Sequence, residues 1–181
     1  MRKIVAGLFI SLDGVTEAPD QWHFDYFNDE MGAIVQSAME ASDTMLLGRR
    51  TWEEFASYWH TADSADPITG VLNNTPKYVV STSLSSADAW QNSTVLSSLD
   101  DVRKLKEQSG ADIGMSGSST LIRSLLKENL LDELSLLVHP VAVGTGRRLV
   151  DDLGDKVPLT LIESTPLSTG VRHLRYAPAD Q

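Results

Sequence analysis

The strongest constraint on the fold is the unbroken apolar run at residues 4–10, IVAGLFI. A strand with one solvent-facing side alternates apolar and polar residues, whereas a strand buried on both faces reads as a continuous apolar run. The run therefore predicts a central strand of a sheet that is covered on both sides. It is too short to cross a membrane, and Asp13 follows where a signal peptide needs a small-residue cleavage site.

Strand and helix patterns alternate along the first two thirds of the chain. Apolar residues recur at helical spacing in four segments, at about 24–41, 51–59, 100–110 and 118–129. Short apolar segments typical of strands lie between them, at 44–48, 77–83, 93–96 and 111–116, and a polar loop is predicted for 60–76. From residue 132 onward the patterns are those of strands, at 132–144, 157–164 and 170–178.

This order of elements predicts a single α/β domain that spans residues 1–181. Repeated strand–helix units build a mostly parallel sheet with helices on both faces. The final two strands are separated by a turn rich in Pro, Ser, Thr and Gly, which indicates an antiparallel hairpin. The sheet is therefore expected to be mixed.

Charge and composition exclude several classes of function. The formal net charge is −10, and nucleic-acid-binding proteins usually carry a basic face, so no nucleic-acid partner is expected. Because the chain has no cysteine, disulfides, thiol catalysis and cysteine-ligated zinc are excluded. The four histidines show no metal-ligand spacing, so we expect no metal site. No apolar run reaches membrane-spanning length, and a soluble cytoplasmic protein is expected.

Two strand-to-helix corners have the composition of an anion site. The first reads Gly48-Arg49-Arg50-Thr51, and the second reads GMSGSSTL, in which Gly117 and three hydroxyl residues open a helix. Free backbone amides at a helix start bind phosphate oxygens, and two arginines add the charge that a phosphomonoester needs. Since a Ser or Thr cap also begins most helices that bind nothing, the corners alone leave a purely structural interpretation open.

Other motifs are less informative. The fingerprint G-x-G-x-x-G, the P-loop and the serine-hydrolase elbow G-x-S-x-G are missing from the sequence. Asp13-Gly14 follows the first strand, and it is either a simple turn or a carboxylate at the cleft mouth that helps to deliver a proton. Trp22, Trp52 and Trp59 are candidates for lining a ring-binding cleft, although aromatic residues usually fill cores.

Three segments together resemble the dihydrofolate reductase-like superfamily: IVAGLFISLDGV, LLGRRTWEEF and GSSTLIRSLLKENLLDELSLLVHPVAVGTGRRL. Within it, the chain is similar to the group related to the C-terminal reductase domain of the bifunctional riboflavin-biosynthesis deaminase–reductase. The likeness covers nearly the whole chain in the family's order. It implies a three-layer α/β/α fold and NADPH as hydride donor. The sequence carries no His/Cys zinc motif of a deaminase.

The resemblance also implies roles for individual residues. Arg49 and Arg50 would face the 2′-phosphate of the adenosine, and Asp13 would lie beside nicotinamide and substrate as the catalytic candidate. The remaining expected cofactor contacts are Gly48 and Thr51 at the pyrophosphate, Ala6 at the nicotinamide, Ser81, Thr82 and Ser83 near the adenosine ribose, and Gly117, Ser118, Ser119 and Thr120 over the pyrophosphate. The expected substrate contacts are Gly14, Trp22 and Trp52.

The function that the resemblance implies is NADPH-dependent reduction of a pyrimidine- or pterin-like heterocycle, similar to 5-amino-6-(5-phosphoribosylamino)uracil reductase of riboflavin biosynthesis. Three alternatives are dihydrofolate reduction, a non-catalytic dinucleotide-binding homodimer, and a purely structural homodimer whose cleft is empty. The first helix offers Asp25, Asp29 and Glu30 for the acidic residue that folate reductases place against the pterin. The family also implies a homodimer with the C-terminal strands as contact elements.

Overall fold

The structure is a computed structural model that describes residues 1–63, 65 and 67–179. Within these residues there are eight strands and five α-helices. The strands are β1 (Ile4–Ser11), β2 (Ser42–Gly48), β3 (Lys77–Val80), β4 (Ser93–Leu96), β5 (Asp112–Ser116), β6 (Glu133–His139), β7 (Leu159–Pro166) and β8 (Arg172–Pro178). The helices are α1 (Asp29–Glu40), α2 (Arg49–Trp59), α3 (Pro67–Asn74), α4 (Leu99–Glu107) and α5 (Ser119–Lys127).

One sheet contains the described strands in the order β4-β3-β2-β5-β1-β6-β8-β7. Neighbouring strands from β4 to β6 are parallel, whereas β8 pairs antiparallel with both β6 and β7. The apolar run forms β1, which lies between β5 and β6 as a central strand. The predicted α/β class, the mixed and mostly parallel sheet and the C-terminal hairpin are therefore confirmed.

The helix predicted from residue 24 and the loop predicted at 60–76 differ from the structure, and the strands predicted at 77–83 and 132–144 end earlier, at Val80 and His139. Phe24–Tyr26 form a short 3₁₀ turn, and α1 begins later because the Asn28 side chain caps it by accepting a hydrogen bond from the Met31 amide at 3.1 Å. The predicted loop 60–76 is wrong in its second half, where α3 forms and buries Leu72. Residues 64 and 66 of that loop lie outside the described residues.

The two faces of the sheet are covered by different helices. Alternate residues of β1 point to the face covered by α4 and α5, which we call the α4/α5 face; the other side is the α1/α2 face. Apolar side chains on the first of these pack into one large core, the α4/α5 core, which includes Ile4, Ala6, Leu8, Ile10, Val102, Leu105, Ile122, Leu125, Leu134 and Leu136. Helices on both faces make the three-layer α/β/α arrangement that the family resemblance implies.

The α1/α2 face carries two separate apolar clusters. The tryptophan core, over β2 and β3, consists of Leu47, Trp52, Ala56, Leu72, Val79, Ala87 and Trp90. The α1 core, over β6 and the turn before β8, consists of Met31, Leu137, Leu167 and Val171. Between these clusters, β1 and β5 present Gly7, which is half-buried, and Ser116, which is exposed. The α1/α2 face is therefore open along the middle of the sheet.

The described part of the chain contains no helix that is long and apolar enough to cross a membrane. In the same residues, no group of three or more His, Cys, Asp or Glu side chains could hold a metal ion. In open α/β sheets, ligands bind beyond the carboxyl ends of the parallel strands. We therefore examine that edge of the sheet, where β1, β2, β3 and β5 end.

Candidate functional site

The two predicted corners meet in space and are joined by hydrogen bonds. The backbone amide of Gly48 donates to Ser118 Oγ at 2.9 Å, and the amide of Ser118 donates to Thr51 Oγ1 at 3.1 Å. Gly48 is the N-cap of α2, and Ser118 is the N-cap of α5. Two helices therefore begin side by side at the ends of β2 and β5.

Backbone geometry makes glycine necessary at the second corner. Gly117 has φ +64°, and a Cβ atom there would lie 3.1 Å from Thr51 Cγ2. Ser118 is also left-handed, at φ +61°, and its side chain does not cap α5. With no side-chain cap from Gly48 or Ser118, the first amides of both helices remain available to an anion. The joined helix starts have the chemistry of a pyrophosphate site.

Arg49 and Arg50 lie at the start of α2, but their side chains differ in availability. Arg49 donates from Nη1 to both carboxylate oxygens of Glu53, at 2.9 and 3.1 Å, one turn along the helix. Arg50 is exposed and makes no hydrogen bond or ion pair with any other described residue. Arg50 is therefore the cation most available to a phosphate, while Arg49 must first leave Glu53.

The three hydroxyl residues expected near the adenosine ribose, Ser81, Thr82 and Ser83, form a turn after β3. Ser81 is buried, and its Oγ accepts from the amides of Ser83 and Leu84 at 3.2 and 3.0 Å. Thr82 and Ser83 are exposed. Because β3 is the parallel neighbour of β2, this turn lies at the same edge of the sheet as the start of α2. Ser81 shapes the turn, and Thr82 and Ser83 remain available for contact.

An uncovered part of the α1/α2 face lies along β1 from Gly7 onward, where β5 has ended; we call it the open strip. The β1–β5 pairing stops at Gly7↔Ser116, whereas β1 continues along β6 to Ser11↔His139. A Cβ at Gly7 would meet only the Met115 carbonyl oxygen, at 3.7 Å. The floor of the open strip is therefore flat at Gly7, which suits a planar ring.

The Ala6 side chain lies on the other face of β1 from this floor. Ala6 is fully buried, and its methyl group packs into the α4/α5 core, on the side of the sheet away from the open strip. Side chains of adjacent strand residues point to opposite faces, so Gly7, which the sequence analysis did not single out, is the residue that faces the open strip. The nicotinamide contact expected at Ala6 stays a prediction.

Asp13 is held by the loop that follows β6. Its carboxylate accepts hydrogen bonds from Ser11 Oγ at 2.7 Å and from the amides of Val143 and Gly144 at 3.0 and 2.8 Å. The hydrogen bonds from Ser11, Val143 and Gly144 hold the pKa of Asp13 well below its usual range. A carboxylate in that state carries no proton near neutral pH. The structure therefore favours a role for Asp13 in joining two loops rather than in donating a proton.

The three expected substrate contacts lie in different places. Trp52 is 3% exposed within the tryptophan core, where its Nε1 donates to Ser93 Oγ, so its ring has almost no surface to offer a substrate. Gly14 lies in the loop on the Arg148 side chain, beside an apolar hollow on the α4/α5 face. Trp22 is half-buried near the end of β6, edge-on to His139 at 5.3 Å. Of the three, Trp22 is placed to line the open strip.

Two buried histidines lie beneath Trp22. The His23 ring stacks on Phe9 with centroids 4.4 Å apart, and His139 is fully buried at the end of β6. Among the described residues, His23 Nδ1 and His139 Nε2 lack a hydrogen-bond partner. Burial lowers the pKa of both rings, which are therefore neutral near pH 7. Their environment is apolar and ordered by aromatic contacts.

The remaining members of the second corner extend the site toward the loop after β1. Ser119 Oγ lies 2.8 Å from Thr16 Oγ1, which ties the start of α5 to that loop. Thr120 is exposed, and its Oγ1 accepts from the Arg123 guanidinium at 3.2 Å. The loop after β1 is thus fixed to α5 as well as to the loop after β6.

Comparisons with known proteins agree with this geometry. Residues 2–172 match the model of the family described as the RibD C-terminal domain. The protein is 27% identical to the uncharacterized protein YyaP of Bacillus subtilis (strain 168) over 179 residues, which covers 97% of this chain and 94% of YyaP. The match therefore extends over almost the entire length of both proteins.

Solved structures share the fold. A candidate riboflavin biosynthesis protein of Shewanella sp. PV-4 superposes with a TM-score of 0.76 at 20% identity, covering 99% of this chain and 100% of that one. Dihydrofolate reductase of Enterococcus faecalis, complexed with NADP(H), gives a TM-score of 0.68 at 13% identity over 98% and 97% of the two chains. At these identities the likeness shows the dihydrofolate reductase-like fold.

Proposed function

This chain belongs to the RibD C-terminal domain family, a family of reductase domains, and from that premise we propose that it is an NADPH-dependent reductase of a pyrimidine- or pterin-like heterocycle. The observation that supports this most directly is the hydrogen-bonded junction of Gly48, Thr51 and Ser118 beside the flat floor at Gly7. The backbone amides of the junction would bind the pyrophosphate of the cofactor. The open strip beside it would hold the nicotinamide ring stacked on the substrate ring.

The residues present fit the cofactor. Gly117 forms a cradle that a Cβ atom would fill, and the uncapped starts of α2 and α5 supply amides for the pyrophosphate. Arg50, together with Arg49, would hold the 2′-phosphate that distinguishes NADPH from NADH. When bound, NADPH supplies the hydride. The protein's part is to orient the two rings over Gly7 and to exclude water from the strip.

The face of α1 toward the sheet bears on the choice of substrate. Met31 is fully buried there, and Ile34 and Val35 pack beside it. Asp25, Asp29 and Glu30 are all exposed, and Glu30 accepts hydrogen bonds from Ser168 and Asn28. Since Glu30 is engaged by these two residues, it is not free to meet a pterin, and this favours a pyrimidine of the riboflavin-pathway type over dihydrofolate.

Turnover assays test the proposal. Purified protein is mixed with NADPH and with either 5-amino-6-(5-phosphoribosylamino)uracil or 7,8-dihydrofolate, and the loss of NADPH absorbance is followed. We expect oxidation with the pyrimidine and little with dihydrofolate. Faster oxidation with dihydrofolate, blocked by methotrexate, would favour the folate alternative. Binding of NADPH without oxidation by either compound would favour the non-catalytic alternative.

The edge of the sheet at β7 supports a homodimer. All eight residues of β7 are exposed, including Leu159, Leu161 and Ile162. An exposed apolar edge strand presents unpaired backbone groups, and natural proteins usually cover such an edge. A second copy of the chain fits because an antiparallel pair of identical strands is self-complementary about a two-fold axis. We therefore propose that two copies pair through β7.

A further inference from the structure

Three strands place a polar row across the floor of the open strip. The pairing register puts Ser116 of β5, Gly7 of β1 and Ser135 of β6 side by side. Their neighbours Met115, Ala6 and Leu134 point into the α4/α5 core, so all three of these residues face the α1/α2 side. Because Gly7 has no side chain, a ring lying on it is bordered by a serine on each side.

Ser135 is backed by a histidine. Its Oγ lies 2.8 Å from Nε2 of His173, on the antiparallel neighbour β8. Ser135 is half-buried, whereas His173 is 9% exposed. The hydroxyl is therefore the member of the pair nearest the floor, and the imidazole lies behind it on the side away from Gly7.

Three charged residues surround the histidine. Arg175 donates from Nε to Glu133 at 2.6 Å and from Nη1 to Glu163 at 2.8 Å, so its charge is balanced by carboxylates from β6 and β7. Burial lowers the pKa of His173, Glu163 and Glu133 raise it, and Arg175 lowers it. The net effect is a pKa of His173 below its usual value, with burial as the largest cause.

We propose that Ser135 is the proton donor of the reduction and that His173 resupplies its proton. The inference rests on the proposed function. Hydride addition to a C=N or C=O carbon of the substrate leaves an electron pair on the nitrogen or oxygen. The O–H bond of Ser135 breaks as that atom is protonated, and the Nε2–H bond of the His173 imidazolium breaks as Ser135 Oγ regains its proton. His173 then takes a proton from solvent, so the cycle consumes one NADPH and one proton.

The Ser135–His173 pair supplies the proton donor that Asp13 does not provide. The Asp13 carboxylate is occupied by Ser11 and by two backbone amides, and the acids of α1 are exposed. Ser135, in contrast, lies in register with Gly7, where the reacting ring is proposed to lie. Ser135 is the catalytic candidate, and His173 is a positioning and resupplying residue.

The test compares Ser135→Ala and His173→Gln with the wild type, using whichever of 5-amino-6-(5-phosphoribosylamino)uracil and 7,8-dihydrofolate the wild type reduces. General acid catalysis contributes roughly 10²–10⁴-fold, so we expect S135A to lose at least about 100-fold in kcat with KM and the NADPH Kd nearly unchanged. The matched control is Ser57→Ala, an exposed serine of α2 whose Oγ donates to the Glu54 carbonyl at 2.7 Å; it should keep wild-type kcat.

The pH profile separates a proton relay from a structural contact. Wild-type kcat should fall as pH rises through the His173 pKa, because only the imidazolium can resupply Ser135. H173Q should be slower at low pH and lose this dependence. If S135A folds poorly, the wild-type and H173Q profiles still decide the matter. If the wild type turns over and S135A keeps the same kcat, the relay is overturned while the proposed function stands. The same holds if the pH dependence of kcat in H173Q equals that of the wild type. A wild type that reduces neither compound overturns the proposed function and the relay with it.

Discussion

Replacing Arg50 with alanine is expected to weaken NADPH binding while leaving NADH binding nearly unchanged. Arg50 is exposed and uncommitted to any other described residue, whereas Arg49 is held by Glu53. NADH lacks the 2′-phosphate, so the loss of a guanidinium that contacts only this group cannot affect it directly. The variant therefore isolates one contact of the proposed cofactor site.

The size of the effect follows from the chemistry of the contact. A hydrogen bond to a charged group contributes about 1.5–3 kcal/mol, and each 1.4 kcal/mol is about tenfold in Kd. Because Arg50 is exposed and its charge is screened by solvent, the lower end applies, and the NADPH Kd should rise about tenfold. The Arg49–Glu53 pair is a surface pair worth only about 0.3–0.5 kcal/mol, so Arg49 is easily released toward the phosphate. The double variant Arg49→Ala, Arg50→Ala should therefore lose more than either single variant.

The assay is calorimetric titration of NADPH and NADH into the wild type and the variants at about 0.1 M salt, where charges more than about 10 Å apart are screened. Arg103→Ala is the matched control, because it removes one exposed arginine from α4, where Arg103 pairs with Asp100 and Glu128. It should change neither Kd by more than about twofold. Equal weakening of NADPH and NADH in R50A would refute the assignment, since it would show that Arg50 only holds the corner in place.

Three further predictions concern the loops, the core and the edge of the sheet. Asp13→Asn should speed amide hydrogen exchange at Val143 by about three- to tenfold, since it weakens a loop contact; lost turnover with unchanged exchange would instead make Asp13 a participant in the chemistry. Burial lowers the pKa of Lys77 to about 8, so between about pH 8 and 10.4 the unfolded chain binds more protons than the folded protein, and the free energy of unfolding should rise with pH. Denaturant titrations should show a flatter rise for Lys77→Met, and an identical slope would contradict this reasoning. Leu161→Glu should convert the proposed dimer to monomer in light scattering, whereas a wild type that is already monomeric would end the β7 proposal.

The sequence predicts the fold well because its strongest signals are local. The IVAGLFI run, the Gly48 corner and the Gly117 corner each depend on a few adjacent residues. The boundary of α1 was less predictable, because the cap at Asn28 competes with apolar residues that continue the helical spacing upstream. For α3, the Pro67, Gly70 and Pro76 that favoured a loop conceal a short helix, in which Leu72 packs into the tryptophan core.

The site was only partly predictable, because several of its features depend on strand register. Ala6 and Gly7 are adjacent in the sequence, and only the pairing of β1 shows which of them faces the strip. An aromatic side chain such as Trp52 can bind a ring, but its position on α2 directs it into the tryptophan core. Ser135 and His173 are 38 residues apart, and no spacing in the sequence indicates that neighbouring strands bring them together.

The hydrogen bonds between Gly48, Ser118 and Thr51 have a consequence for how the proposed coenzyme would be recognised. Two hydroxyls, those of Ser118 and Thr51, join the amino ends of two helices that are far apart in the sequence, so the amides that we propose to hold the pyrophosphate are in place before a dinucleotide binds. Little entropy is then lost in assembling them. Loss of the Ser118 hydroxyl would accordingly loosen the starts of α2 and α5 together, as a cooperative failure rather than the loss of one contact.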